Sequence, residues 1–289
     1  MRFFRQRLEK KGFRLRGIPC YEFMASIIDE GKKAMTVSFE NVFYFEKNNN
    51  ISLKDISFNV PAGKSLIIFG PENSGKETII DLIIAKKKAQ SGLVQIWGKS
   101  LDSEAEDFVE SMRTCIGFIS QNFGLINNLS VRENILLPLR YHTVLNESGL
   151  QSLVSRYLKK YSITEKADLR PQLLSYSEKL KTAFARAVIT KPQLVLIEDA
   201  LNAQCPLETA NFIKFIKEEI ENFSVSFIIT AYNPKQFFGL NASYILMHEG
   251  EIMFYGSEDE LKFSQNPYVE QYLYSPLQGP MKISHEVEI

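Results

Sequence analysis

The densest run of residues able to do chemistry is Gly70-Pro71-Glu72-Asn73-Ser74-Gly75-Lys76-Glu77-Thr78. Apolar Leu66, Ile67, Ile68 and Phe69 lead into it, and Ile79, Ile80, Leu82, Ile83 and Ile84 follow. That order reads as a buried strand, a glycine loop and the start of a helix. Gly70 and Gly75-Lys76 hold the spacing at which backbone N–H groups and a helix N-terminus cradle phosphate, with the lysine reaching its outer oxygens. The position after the lysine, where a hydroxyl should hold Mg²⁺, carries Glu77, and Thr78 keeps a hydroxyl one place later. Asn73 stands where such loops commonly have glycine, so it constrains a backbone conformation that glycine reaches freely.

Strands and helices must hold this loop in place. Thr36 to Phe45 alternates like a strand, Lys47-Asn48-Asn49-Asn50 is a turn, and Ile51 to Val60 reads as a second strand. Leu93 to Trp97 is a strand, and residues 102–113 look helical. Thr114 to Ser120 is a strand ending at Gln121, and a mostly helical stretch follows to about Leu173. A helix over Leu180 to Ile189 precedes a strand, Pro192 to Ile197, that ends in Glu198-Asp199. A helix over Phe212 to Ile220, a buried strand over Val225 to Ile229 and a hairpin across His248-Glu249-Gly250 complete the order. Strands alternating with helices imply an α/β fold with a mainly parallel sheet and ligand at the strand C-termini.

Composition narrows the class. The chain has 289 residues and balanced charge, with no stretch approaching the roughly 20 apolar residues of a membrane span. No apolar h-region follows the basic N-terminus, which argues against a signal peptide. Cys20, Cys115 and Cys205 are widely spaced, lack metal-ligand spacing and read as reduced thiols. Residues 1–16 carry seven Arg/Lys against Glu9, a net +6 that leaves −6 on the rest. With Phe3, Phe4, Leu8, Phe13 and Leu15 interleaved, this segment could lie on an anionic membrane surface. The alternative is a disordered basic tail, or an extension upstream of a second start at Met35. Basic charge confined to the tail gives no expectation of nucleic-acid binding.

Five motifs in one order carry a resemblance. Gly70 to Thr78 matches Walker A, and Ile116 to Phe123 matches a strand and Q-loop. Leu174-Ser175-Tyr176-Ser177-Glu178 lies where an LSGGQ signature lies, with Ala185-Arg186-Ala187 at its usual distance. Leu194 to Asp199 matches Walker B. Over roughly residues 36–262 the chain resembles an ATP-binding cassette (ABC) transporter ATPase. The implied fold is the P-loop NTPase cassette: a mainly parallel sheet core, an antiparallel β subdomain and a helical subdomain over about 122–185. A basic extension would precede it (1–34) and a C-terminal extension follow it (263–289). Asn266-Pro267-Tyr268-Val269-Glu270-Gln271-Tyr272-Leu273, then Gln278-Gly279-Pro280, is similar to the tail of the Mla/Mce phospholipid-transport ATPases, whose pattern is Asp-Pro-x-Val-x-Gln-Phe-Leu followed by Gly-Pro.

The resemblance assigns roles residue by residue. ATP would lie between two cassettes, Walker A and B of one facing the signature of the other, with Phe45 (or Tyr44) under the adenine. Gln121 and Glu198 would serve the metal. Asp199 stands in the general-base position one methylene short, and a base misplaced by about 1 Å can cost on the order of a hundredfold. Ala200 replaces a proline, Cys205 the D-loop aspartate, and Tyr232 stands at the switch-histidine position. In the signature, Tyr176 and Ser177 replace two glycines, so Tyr176 would obstruct the close approach to phosphate and Glu178 would repel it. These losses predict a cassette that binds ATP and Mg²⁺ weakly and hydrolyses ATP poorly or not at all, in a structural or regulatory role on a permease. The alternative is an active ATPase subunit coupled to transport of lipid or another substrate. Expected partners are a transmembrane permease, a second cassette and an Mce-domain protein, at the cytoplasmic face of the inner membrane. Phe123, Leu125, Ile126 and Leu129 are candidates for the groove that receives the permease, or else plain core.

Overall fold

The computed structural model describes residues 35–46, 52–102, 104, 106–143, 146–276 and 278–281. The basic segment 1–34 with Cys20, the Lys47–Asn50 turn and residues 282–289 lie outside the described residues. In chain order the strands are Met35–Phe45 (β1), Ser52–Pro61 (β2), Ser65–Phe69 (β3), Ser91–Ile96 (β4), Lys99–Ser100 (β5), Ile116–Ile119 (β6), Leu194–Glu198 (β7), Ser226–Ala231 (β8), Ser243–His248 (β9) and Glu251–Ser257 (β10). The helices are Lys76–Ile83 (α1), Glu106–Thr114 (α2), Val131–His142 (α3), Glu147–Lys160 (α4), Tyr176–Val188 (α5), Pro206–Phe223 (α6), Glu258–Lys262 (α7) and Pro267–Tyr274 (α8).

Among the described residues these strands form two sheets. One is antiparallel, in the order β2-β1-β4-β5. The other runs β10-β9-β3-β8-β7-β6, parallel from β9 to β6 with β10 folded back antiparallel on β9. The parallel strands are mostly apolar on both faces because both are covered, with polar residues such as Ser65, Glu198, Ser226 and Ser243 at their ends. Leu66 and Ile68 of β3, with Leu194 and Leu196 of β7, pack into a core shared with the antiparallel sheet and α1. Ile67, Phe69, Val195 and Ile197 point the other way, into a core shared with α3, α4, α5 and α6. Helix α1 adds Ile79, Ile80 and Ile83 to the first core, each burial being worth roughly 1.5–3 kcal/mol.

The register puts the chemistry at one edge. Phe69 pairs with Ala231, and Glu198 with Thr230, so the loops carrying Gly70, Asp199 and Tyr232 leave neighbouring strands at the same level. Two helices begin earlier than apolar periodicity indicates. α5 starts at Tyr176 rather than Leu180 because Ser175 and Glu178 form a capping box. α6 runs Pro206–Phe223, well beyond Phe212 to Ile220, with Pro206 preset for the first helical turn.

Candidate functional site

The phosphate-type loop is built from unusual backbone. Gly75 has φ 98°, and a side chain there would start 2.7 Å from the Leu53 methyl; at Gly70 one would start 2.2 Å from the Met247 carbonyl oxygen. Only glycine fits at those two points. Asn73 adopts the left-handed conformation itself, with φ 58°, so the loop shape survives the missing glycine at the cost expected for that residue. Gly250, in the β9–β10 turn, donates its N–H to the Ser74 carbonyl at 3.1 Å and ties the loop to the sheet. Pro71 and Glu72 lie at its outer rim.

Helix α1 is left open at its start. Ser130, Ser175 and Ser257 each begin a helix with a complete capping box, whereas no side chain caps α1 at Gly75. Its first-turn N–H donors therefore face outward, where the helix dipole favours an anion. The Ser74 hydroxyl is buried beside them without a partner. A phosphate group fits this cradle.

Lys76 is differently placed. Its side chain is 0% exposed, and a buried ammonium must be paired. Glu77 supplies the partner at 2.8 Å, Asp199 a second carboxylate at 3.9 Å, the Pro71 carbonyl a hydrogen bond at 3.2 Å, and the Tyr232 ring a cation–π face at 4.3 Å. The residues at the hydroxyl, general-base and switch-histidine positions thus converge on the lysine itself. Thr78 is buried on α1 below them. Burial pushes the Asp199 carboxyl up against the pull of Lys76, and burial with neighbouring Asp81, Asp199 and Glu77 pushes Glu198 up. Asp199 also sits at φ 45° and donates its backbone N–H to the Thr230 hydroxyl at 3.1 Å. Mg²⁺ does not fit this set. The carboxylate at the hydroxyl position is committed to Lys76, and Gln121 stands exposed beyond β6.

The remaining candidates are held by other partners. Phe45 ends β1 with its ring 56% exposed and both backbone groups bonded to Gln90, while Tyr44 lies under the Lys87 ammonium. At the signature, Ser175 accepts the Glu178 N–H while Glu178 accepts the Ser175 N–H at 2.8 Å. Glu178 also pairs with Lys166 at 3.3 Å, and the Ser175 hydrogen bond holds its carboxyl below the usual range. The helix N-terminus thus carries its own anion. Ser177 is bonded to Glu208. The Tyr176 ring does not stand over the helix start as an obstruction. It turns inward onto Phe123, with ring centres 4.8 Å apart, and its hydroxyl donates to the Ala200 carbonyl at 3.0 Å.

Some contacts had no sequence signal. Arg186 donates to the Phe123 and Gly124 carbonyls at 2.8 and 2.7 Å, clamping the Q-loop to α5, although the sequence marks it only by its distance from the signature. Phe123 is core, whereas Ile126 is exposed. An open groove of about 310 Å³ between β6, α3 and α5 is lined by Phe118, Leu137, Pro138 and Tyr141 together with Arg113 and Arg186. Cys115 is a buried free thiol and Cys205 an exposed one at the start of α6.

A parallel sheet with a phosphate loop after β3 and an acidic pair after β7 defines a P-loop nucleotide-binding cassette. The chain belongs to the ABC transporter family, whose sequence profile matches residues 53–202. It is 25% identical over 237 residues to the intermembrane phospholipid transport system ATP-binding protein MlaF of Escherichia coli K12, covering 82% of this chain and 88% of that protein. The methionine import ATP-binding protein MetN 1 of Staphylococcus aureus MRSA252 is 25% identical over 76% of this chain and 64% of its own length. Two solved structures share the fold. cbiO1 from Clostridium perfringens, part of the cbiONQ transporter complex, superposes with a TM-score of 0.73 at 20% identity, covering 81% of this chain and 92% of that one. The ATP-binding cassette MJ0796, bound to ADP and Pi, superposes at 0.70 and 23% identity over 76% of this chain and 98% of its own.

Proposed function

We propose that this chain is the peripheral ATP-binding subunit of a membrane ABC transporter of the lipid-transporting kind, and that its own catalytic site is degenerate. What carries the reading is the state of Lys76. The loop keeps the shape that receives phosphate, but the lysine is already satisfied by Glu77, Asp199 and Tyr232. An incoming phosphate must displace Glu77 and sit beside Asp199 and Glu198, so nucleotide binds weakly. The base position is occupied by a carboxylate turned to the lysine, so hydrolysis is slow or absent. The signature end, with its N-terminus filled by Glu178, gives a partner cassette little to bind phosphate with.

The lipid assignment rests on the similarity to MlaF and on the tail pattern Asn266 to Leu273. We assign the cassette to 36–262, its helical subdomain to about 122–185 and the C-terminal extension to residues from 263, with Phe45 as the adenine platform. Among the described residues no helix is long and apolar enough to cross a membrane, consistent with a subunit docked at the cytoplasmic face of the inner membrane on a permease, beside a second cassette and an Mce-domain protein. The deciding experiment is steady-state ATPase activity of the purified complex. The reading expects activity that is absent or unaffected by Lys76→Ala in this chain. Turnover that depends on Lys76 would overturn it in favour of an active ATPase subunit.

A further inference from the structure

Helix α8 belongs to the tail, yet one of its side chains reaches the phosphate loop. The Tyr272 hydroxyl donates to the Tyr232 carbonyl at 2.9 Å, and the Gly70 backbone lies near enough to the same phenol to oppose the rise that burial imposes on its pKa. The Tyr272 ring lies on Phe69, the last residue of β3, with ring centres 5.3 Å apart. One tyrosine therefore bridges the two loop entries, its ring on the last residue of β3 and its hydroxyl on the loop leaving β8. Those loops carry the two opposing faces of the site: Gly70 opens the cradle, and Tyr232 lays its ring on Lys76. The helix is itself fixed from both ends. Asn266 donates to the Met253 carbonyl at 2.8 Å, and Lys235, in the turn after β8, donates to the Leu273 carbonyl at 2.7 Å. Gln271 exchanges two hydrogen bonds with the Met281 backbone, at 2.9 and 2.7 Å, holding the segment that follows.

We infer that Tyr272 is a positioning residue for the phosphate site, and that docking of the C-terminal helix and nucleotide binding are coupled through its hydroxyl. The inference rests on the nucleotide-binding reading above. It goes beyond the resemblance, because the tail pattern has phenylalanine at this position and the hydroxyl belongs to this chain. Asn73, at φ 58°, holds part of this loop in a backbone conformation that residues other than glycine rarely adopt. A cross-link at its entry lowers the entropy lost when phosphate binds. Coupling of this kind is reciprocal, so bound nucleotide also tightens the tail.

Tyr272→Phe removes only the oxygen and restores the residue of the family pattern, so the variant is expected to fold. In the full-length chain, hydrogen–deuterium exchange of peptides covering Gly70–Lys76 and Tyr232–Lys235 should speed up by about fivefold, the factor that one lost hydrogen bond of ordinary strength carries. Affinity for a fluorescent ATP analogue should fall by a similar factor. Glu270→Ala, an exposed change on the same helix, should alter neither. Wild-type exchange in both peptides of Tyr272→Phe would overturn the inference, as would an equal effect from Glu270→Ala. If the wild-type chain bound no analogue, the nucleotide reading would fall, and the exchange rates would still decide whether Tyr272 braces the loop.

Discussion

A buried ammonium needs a partner, and Lys76 finds one on the adjacent residue. Glu77 compensates the desolvated ammonium and at the same time competes with phosphate for it. Replacing Glu77 with threonine removes that competitor, restores the hydroxyl and leaves the lysine facing the open cradle. Nucleotide affinity should rise by at least about tenfold, since a carboxylate within a few ångströms of a phosphate opposes it by more than 1 kcal/mol even in a well-screened site; calorimetric titration would measure it. Glu198 and Asp199 give a second test. Their carboxyls are pushed up, mainly by burial, so the stability tied to them is fully present below their unfolded values and is lost as pH rises through the folded ones. Taking the pH from neutral into the carboxylate range protonates them and lightens the negative charge around the cradle. The wild-type chain should therefore gain nucleotide affinity on acidification relative to Glu198→Gln/Asp199→Asn, which cancels the titration of the nucleotide itself. An equal pH response in both would remove these carboxylates from the site. The loop and the acidic pair were legible as residue types, but the convergence of Glu77, Asp199 and Tyr232 on Lys76 was not. Spacing within one segment does not reveal which way a side chain from another segment turns.

Elements were legible where their apolar period was long and hidden where a cap set the boundary. Ser175 with Glu178 starts α5 four residues before the first strongly apolar position, and that box also changes the sense of the signature. A glutamate read as a charge aimed at phosphate is also the clasp of its own helix. Ser175→Ala should cost about 1 kcal/mol, the usual worth of a cap, in urea-induced unfolding. A larger element-scale feature gave no signal in the sequence at all. Glu219 of α6 is wholly buried, pairs with Lys160 at the end of α4 and accepts the Tyr161 hydroxyl at 3.0 Å. Tyr161 in turn packs edge-on against Phe184 of α5 and Phe215 of α6. A polar cluster thus joins α4 to the helix that covers the parallel sheet. A lone glutamate in an amphipathic helix reads as solvated because sequence pattern cannot show what packs above it. Glu219→Ala takes a partner from the buried Lys191, from Tyr161 and from Lys160, which keeps Glu218, and should cost about 3 kcal/mol. Denaturation at unchanged m-value would register it, and a change under about 0.5 kcal/mol would mean that the cluster contributes nothing net.

At the scale of the whole molecule, the phosphate edge of the sheet and the helical layer meet at the Q-loop. Gln121 leaves β6 at the strand ends where the phosphate loop sits, and the next residues are fixed to the helical layer: Arg186 holds Phe123 and Gly124, and the fully buried Asn134 holds the Ile126 backbone through both its amide groups. The Q-loop is thereby tied to both α3 and α5. The groove beside this junction exposes the Tyr141 ring by 77%, next to Leu137 and Pro138. An aromatic left in solvent at the mouth of a groove of mixed lining suits a helix from a partner more than it suits the isolated chain. Leu137→Asp and Tyr141→Asp place charge there without touching the phosphate loop. Each should reduce recovery of the chain with its permease by about tenfold or more, the scale of a lost central anchor, while nucleotide affinity of the isolated chain stays at the wild-type value. Loss of both together would mean that the substitutions disturb the fold. Retention of the permease by both variants would move the docking surface elsewhere, and exposed Ile126 on the other side of the Q-loop would be the next residue to change.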